Sequence, residues 1–127
     1  MKPMIAIVDD DESLREATES LIRASGFAPE VFQCANDFLT SESLHRTDCL
    51  VADVQMPGMS GLELHRRLVQ SGNAIPTVLI TAYPDEKARV RAMEAGVICY
   101  LTKPVDKDAL LGCIRTALDQ RRTRSAS

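Results

Sequence analysis

The most constraining feature of this chain is a strict alternation. Five short apolar runs are separated, one from the next, by stretches of helical character. The runs are Met4 to Val8, Pro29 to Gln33, Cys49 to Ala52, Thr77 to Ile80 and Val97 to Leu101. Short, unbroken and partly β-branched segments are what parallel strands buried on both faces require. Between them, Leu14, Ala17, Leu21 and Ile22 share one helical stripe, and Gly26 is placed to end it. Ala35 to Leu44 predicts a short second helix. Ser60-Gly-Leu-Glu63 reads as a capping box opening a third, which carries Leu64 and Leu68 and ends near Gly72. Asp85 to Ala95 predicts a weakly apolar fourth helix. Asp106 is placed to cap the last, whose Leu110, Ile114, Ala117 and Leu118 form an apolar stripe. Parallel strands need crossovers rather than hairpins, so five such units predict an α/β fold: a doubly wound parallel sheet with helices on both faces. One domain is expected over residues 1–120, with 121–127 a polar tail or the start of a linker. The arginines at 121, 122 and 124 also suit the negative end of a helix dipole.

A chain of 127 residues fits one domain and can bury a core without staples. No apolar run approaches the roughly 18 residues of a membrane span. The start, Met1-Lys2-Pro3-Met4-Ile5, does not read as a signal peptide, so a cytoplasmic location with no membrane contact is expected. Cys34, Cys49, Cys99 and Cys113 are dispersed with no C-x-x-C pair, which argues against a zinc site and predicts reduced, small apolar residues. The net charge of −3 argues against direct nucleic-acid binding.

In open parallel sheets, ligands bind at the carboxyl ends of the strands. The residues expected there are Asp9-Asp10-Asp11 after the first strand, Asp53 after the third, Thr81 after the fourth and Thr102-Lys103-Pro104 after the fifth. Carboxylates held together repel by roughly 4 kcal/mol per pair at about 4 Å and an effective dielectric near 20. They must protonate or take a cation. Oxygen ligands without His or Cys select a hard ion such as Mg²⁺. Lys103 adds a point charge and Thr81 a donor for a phosphoryl oxygen. Asp11 is better placed to cap the first helix than to bind metal. His45 and His65 fall on polar helical stretches and are expected to be solvated.

Four motifs in order, Ile7-Val8-Asp9-Asp10-Asp11, Asp53-Val-Gln-Met-Pro57-Gly-Met-Ser-Gly61, Ile80-Thr81-Ala82 and Tyr100-Leu-Thr-Lys103-Pro104, give the chain a close resemblance. From Met4 to about Leu118 it resembles the receiver domain of bacterial two-component response regulators. The resemblance implies a flavodoxin-like strand order, 2-1-3-4-5, which sets Asp53 between the acid pair and the Thr-Lys side. It implies that Asp53 is the phosphoacceptor, that Asp9, Asp10, Asp53 and the Gln55 carbonyl serve Mg²⁺, and that Thr81 and Lys103 assist at the phosphoryl group. It also implies a cis Lys103-Pro104 bond and a switch pairing Thr81 with Tyr100 on the surface of helix four, strand five and helix five. The donor would be a phosphohistidine on a sensor histidine kinase or a phosphotransfer protein. Partner binding or self-association on that face would then change, a phosphorylation-dependent homodimer being one such outcome. Such a domain is not an enzyme beyond its own phosphotransfer and dephosphorylation. Tyr83 stands where it either shields the phosphoryl group or covers the helix that follows. Two rivals bear comparison. Asp9-Asp10-Asp11-Glu12-Ser13 loosely resembles the signature of haloacid-dehalogenase-type phosphohydrolases, but that reading leaves Asp53 without a task and the chain without room for a cap. A flavin-binding module would want a Ser, Thr and Gly-rich phosphate loop where this chain has three acids.

Overall fold

A computed structural model describes the backbone of residues 2–126 and the side chains of residues 2–121. Five strands, β1 (Met4–Val8), β2 (Ala28–Phe32), β3 (Cys49–Asp53), β4 (Thr77–Thr81) and β5 (Cys99–Thr102), form one parallel sheet in the order β2-β1-β3-β4-β5. Helices α1 (Glu12–Ala24), α2 (Ala35–Leu39), α3 (Gly61–Gln70), α4 (Glu86–Glu94) and α5 (Lys107–Ala126) fill the crossovers.

Side chains alternate across the strands, so the sheet divides the interior in two. Ile5, Ile7, Val51 and Val78 face Ile22 of α1 and Leu110 and Ile114 of α5. Ala6, Val8, Leu50 and Leu79 face Phe38 of α2, Leu64 and Leu68 of α3 and Ala92 of α4. Each fully buried Leu, Ile or Phe contributes about 1.5–3 kcal/mol of transfer free energy. The stripe expected on α5 is the buried one. That of α1 is not: only Ile22 is fully buried, Leu21 is half-buried, and Leu14 is 38% exposed.

The expected caps form. Asp11, Ser60 and Asp106 each accept a backbone N–H in the first turn of α1, α3 and α5, and Asp85, not among the expected caps, does the same for α4. Most strand ends fall within one residue of expectation, and two boundaries inside the fold differ by more. The second helix stops at Leu39, and a 3-10 turn covers Glu42–Arg46. At the break, Thr40 donates its hydroxyl to the Asn36 carbonyl and Ser41 caps Ser43, side-chain bonds that compete with a continuous helix. The fifth strand begins at Cys99 rather than Val97. Gly96, at φ 99°, and Val97 direct their amides back to Met93 and Ala92, closing α4 before the strand starts.

Residues 121–126 continue α5 as helix, and Ser127 lies outside the described residues. Arg121 pairs with Asp48 at 3.3 Å. The expectation of four separate thiols is corrected: Cys99 and Cys113 are joined as a disulfide between β5 and α5, while Cys34 and Cys49 are free. Spacing along the chain carries no sign that these two positions meet across a crossover. Among the described residues, no helix is long and apolar enough to cross a membrane.

Candidate functional site

The strand order brings the carboxyl ends of β1, β3 and β4 side by side. Asp9 follows β1, Asp53 is the last residue of β3, and Thr81 ends β4 in register with Thr102 of β5. Asp9, Asp53 and Thr81 are buried, whereas Asp10 stands exposed at the rim. Lys103, one residue past β5, reaches inward. Its Nζ donates to Asp53 Oδ2 at 2.9 Å and lies 3.5 Å from Asp9 Oδ2. The Lys103-Pro104 peptide is cis.

Asp9, Asp10 and Asp53 each offer a carboxylate oxygen within 4.8 Å of the others. Burial pushes the Asp9 carboxyl above the usual carboxylate range, and the charge of Asp53 adds to the rise. The Asp11 amide, 2.9 Å from Asp9 Oδ1, and the Lys103 ammonium oppose it. Burial works against the Lys103 charge too, yet the hydrogen bond to Asp53 and the charges of Asp9 and Asp53 together outweigh it and raise its pKa. Three carboxylates meet one ammonium, so the cluster keeps an unbalanced negative charge. All its donors are oxygens, the set that suits a small hard cation.

The hydroxyl side is held by its own bonds. Thr81 Oγ1 donates to Gln55 Oε1 at 2.6 Å and accepts the Tyr83 amide at 3.0 Å. The backbone N–H of Gln55 donates to Asp53 Oδ1 at 3.1 Å. Tyr100 packs on the α2–α4 side of the sheet with its hydroxyl buried near Thr81 and Asp85. Burial, more than the nearby Asp85 charge, raises the pKa of that phenol.

The fold thus gathers Asp9, Asp10, Asp53 and Lys103 directly, links Thr81 through Gln55, and sets Tyr100 behind Thr81. Asp11 caps α1 as expected. Tyr83 is 72% exposed. His45 is exposed as expected, but His65 is not. It lies on the inner stripe of α3 with Leu64 and Leu68, where its position counts for more than its polarity. Two contacts went unread in the sequence. One is the Gln55 side chain on Thr81. The other is Arg15, whose Nη1 donates to the Asp9 carbonyl at 2.8 Å and pins the end of β1 to α1. Neither residue type carries a signal of its partner at that distance along the chain. Beside Asp9 and Lys103, Leu14, Ala17 and Leu21 face Val105 and Leu110 across a groove of about 240 Å³, which accounts for the exposed stripe of α1.

Comparison with known proteins agrees with this geometry. Residues 5–115 match the family model of the response regulator receiver domain. The response regulator protein TmoT of Ectopseudomonas mendocina is 43% identical over 115 residues, covering 91% of this chain and 52% of TmoT. The chain therefore spans about half the length of that relative. The response regulator StyR has a structure similar over 99% of this chain and 64% of its own, with TM-score 0.91 and 44% identity. The FixJ-N structure matches 94% of this chain and 95% of its own, with TM-score 0.85 and 34% identity. The phosphohydrolase alternative gains no support from these matches. Four motifs, the 2-1-3-4-5 sheet and the family match over residues 5–115 converge: this chain belongs to the response regulator receiver domain family and is a receiver of two-component signalling.

Proposed function

We propose that Asp53 is the phosphoacceptor of this receiver, and that a sensor histidine kinase or a phosphotransfer protein supplies the phosphoryl group. The observation that carries the reading is the contact of Lys103 Nζ with Asp53 Oδ2 at 2.9 Å, inside a cluster of three acids. An Asp53 oxygen attacks the phosphorus of a phosphohistidine, the P–N bond breaks with its electron pair on the imidazole nitrogen, and an acyl phosphate remains. Asp9, Asp10 and Asp53, with the Gln55 backbone carbonyl, would hold Mg²⁺, which offsets the charge of the phosphoryl oxygens. Lys103 is already at bonding distance from the nucleophile and follows the charge outward as it moves to the phosphoryl oxygens. Thr81 leaves Gln55 to donate to a phosphoryl oxygen, and Tyr100 repacks behind it. The result is a biased surface formed by α4, β5 and α5. The weak anchoring of α4, which buries only Ala92, supports its part in that change. The groove between α1 and the β5–α5 loop adjoins the site through Asp9 and Lys103, which supports it as a seat for the donor protein. The domain's own chemistry is limited to this phosphotransfer and to hydrolysis of the acyl phosphate, in which water takes the phosphoryl group as inorganic phosphate and Asp53 returns to a free carboxylate.

Intact mass after incubation with acetyl phosphate tests the reading. The expected result is a gain of one phosphoryl group in the wild type with Mg²⁺, little without it, and none in Asp53→Asn. An equal gain in Asp53→Asn would place the acceptor elsewhere.

A further inference from the structure

Cys99 opens β5 and Cys113 lies on α5, with their Cα atoms 6.2 Å apart and their sulfurs bonded. The covalent ring so closed, 14 residues in sequence separation, contains Tyr100, Thr102, Lys103 and Pro104. It thus encloses the segment that delivers the site's ammonium and the aromatic residue behind Thr81. A domain of this size does not need a staple to fold. As free thiols, the same two residues would pack as small apolar groups in the core they already join, so both redox states suit the fold. Both are half-buried, within reach of small oxidants and reductants. The other two thiols are poor participants. Burial pushes Cys49 up to about 12, and Cys34 follows β2 at the opposite edge of the sheet.

We propose that Cys99 and Cys113 are a reversible dithiol–disulfide pair whose oxidation clamps the Lys103 segment between β5 and α5. With hydrogen peroxide as oxidant, one thiolate attacks a peroxide oxygen, the O–O bond breaks, and a sulfenic acid and hydroxide result. The second thiolate displaces hydroxide from that sulfur and the S–S bond forms. The two thiol protons end on the two hydroxides as water, and the peroxide takes the two electrons. A dithiol reductant returns the pair to thiols by exchange. That the clamp alters phosphoryl acceptance rests on the Asp53 reading above; the thiol chemistry and the clamping do not.

The test uses the full chain, reduced with dithiothreitol or oxidised with hydrogen peroxide, in the wild type and in Cys113→Ser. After unfolding and alkylation, the reduced wild type should take four blocking groups and the oxidised wild type two. Peptide mapping should find Cys99 linked to Cys113, and dithiothreitol should restore all four thiols. Four alkylated thiols after peroxide, a link through Cys34, or a disulfide that folded protein does not release to dithiothreitol would each overturn the proposal. Amide exchange across residues 100–112 should slow severalfold on oxidation in the wild type and not in Cys113→Ser; unchanged exchange would also overturn it. Labelling by acetyl phosphate should differ severalfold between the two wild-type states and not in Cys113→Ser. Equal labelling of the two states would refute the coupling to phosphorylation. Labelling of neither state would sink the Asp53 reading, while mapping and exchange still decide the clamp.

Discussion

Thr81 gives its hydroxyl proton to the Gln55 amide oxygen at 2.6 Å, and the same proton is needed for a phosphoryl oxygen in the proposed cycle. The two uses compete. A neutral hydrogen bond contributes about 1 kcal/mol net, or roughly fivefold in an equilibrium. Gln55→Ala should therefore raise the initial rate of acetyl phosphate labelling by up to roughly fivefold, read by mass; an unchanged or slower rate would mean that Gln55 does not hold Thr81 back. His65 makes a different kind of prediction. Burial lowers its pKa, and its Nδ1 has no hydrogen-bond partner. The unfolded chain then takes up a proton near the ordinary value of about 6.5 while the folded chain resists it. The associated stability is present above that value and is lost as pH falls through it toward the lower folded value. Urea unfolding at a series of pH values should show the wild type losing more stability than His65→Leu between about pH 7 and about pH 5. Parallel slopes would show that His65 does not resist protonation.

At the scale of the element, α3 is set by contact with the strand that bears the acceptor. Gly61 donates its amide to the Val54 carbonyl at 3.1 Å, and a Cβ there would fall inside van der Waals contact of the Asp53 carbonyl oxygen. Gly61→Ala should cost about 1–3 kcal/mol, the usual range for overpacking, seen as a lower urea midpoint, with slower labelling at Asp53. An unchanged midpoint would show that the helix can step back freely. Elements governed by local chemistry were legible in the chain. The caps at Asp11, Ser60 and Asp106 and the stripe of α5 follow from spacing alone. So did the convergence of Asp9, Asp53 and Lys103, because strand ends of a parallel sheet share an edge. What was missed depended on partners distant in sequence or on competing side chains. Thr40 and Ser41 break the second helix, Gly96 closes α4 ahead of Val97, and His65 turns inward. The Cys99–Cys113 bond and the Gln55–Thr81 bond need the packed crossovers to exist before they can form.

For the whole molecule, Val90 and Met93 are exposed on α4, the helix that packs beside β5, and give the proposed switch surface an apolar character. Beryllofluoride with Mg²⁺ should shift the wild type to earlier elution on size exclusion and leave Asp53→Asn unmoved; identical elution would remove self-association from the cycle. The division of the interior by the sheet has a further consequence. Asp53 and Thr81 are the last residues of their strands, and Asp9, Asp10 and Lys103 follow directly after theirs, so all five lie along the rim where the strands stop. On the proposed assignment, the groups that would time a signal stand at the strand ends, with Tyr100 reaching back into one hydrophobic layer. Exchanging rim side chains should then retune reaction speed while most of the scaffold beneath stays as it was.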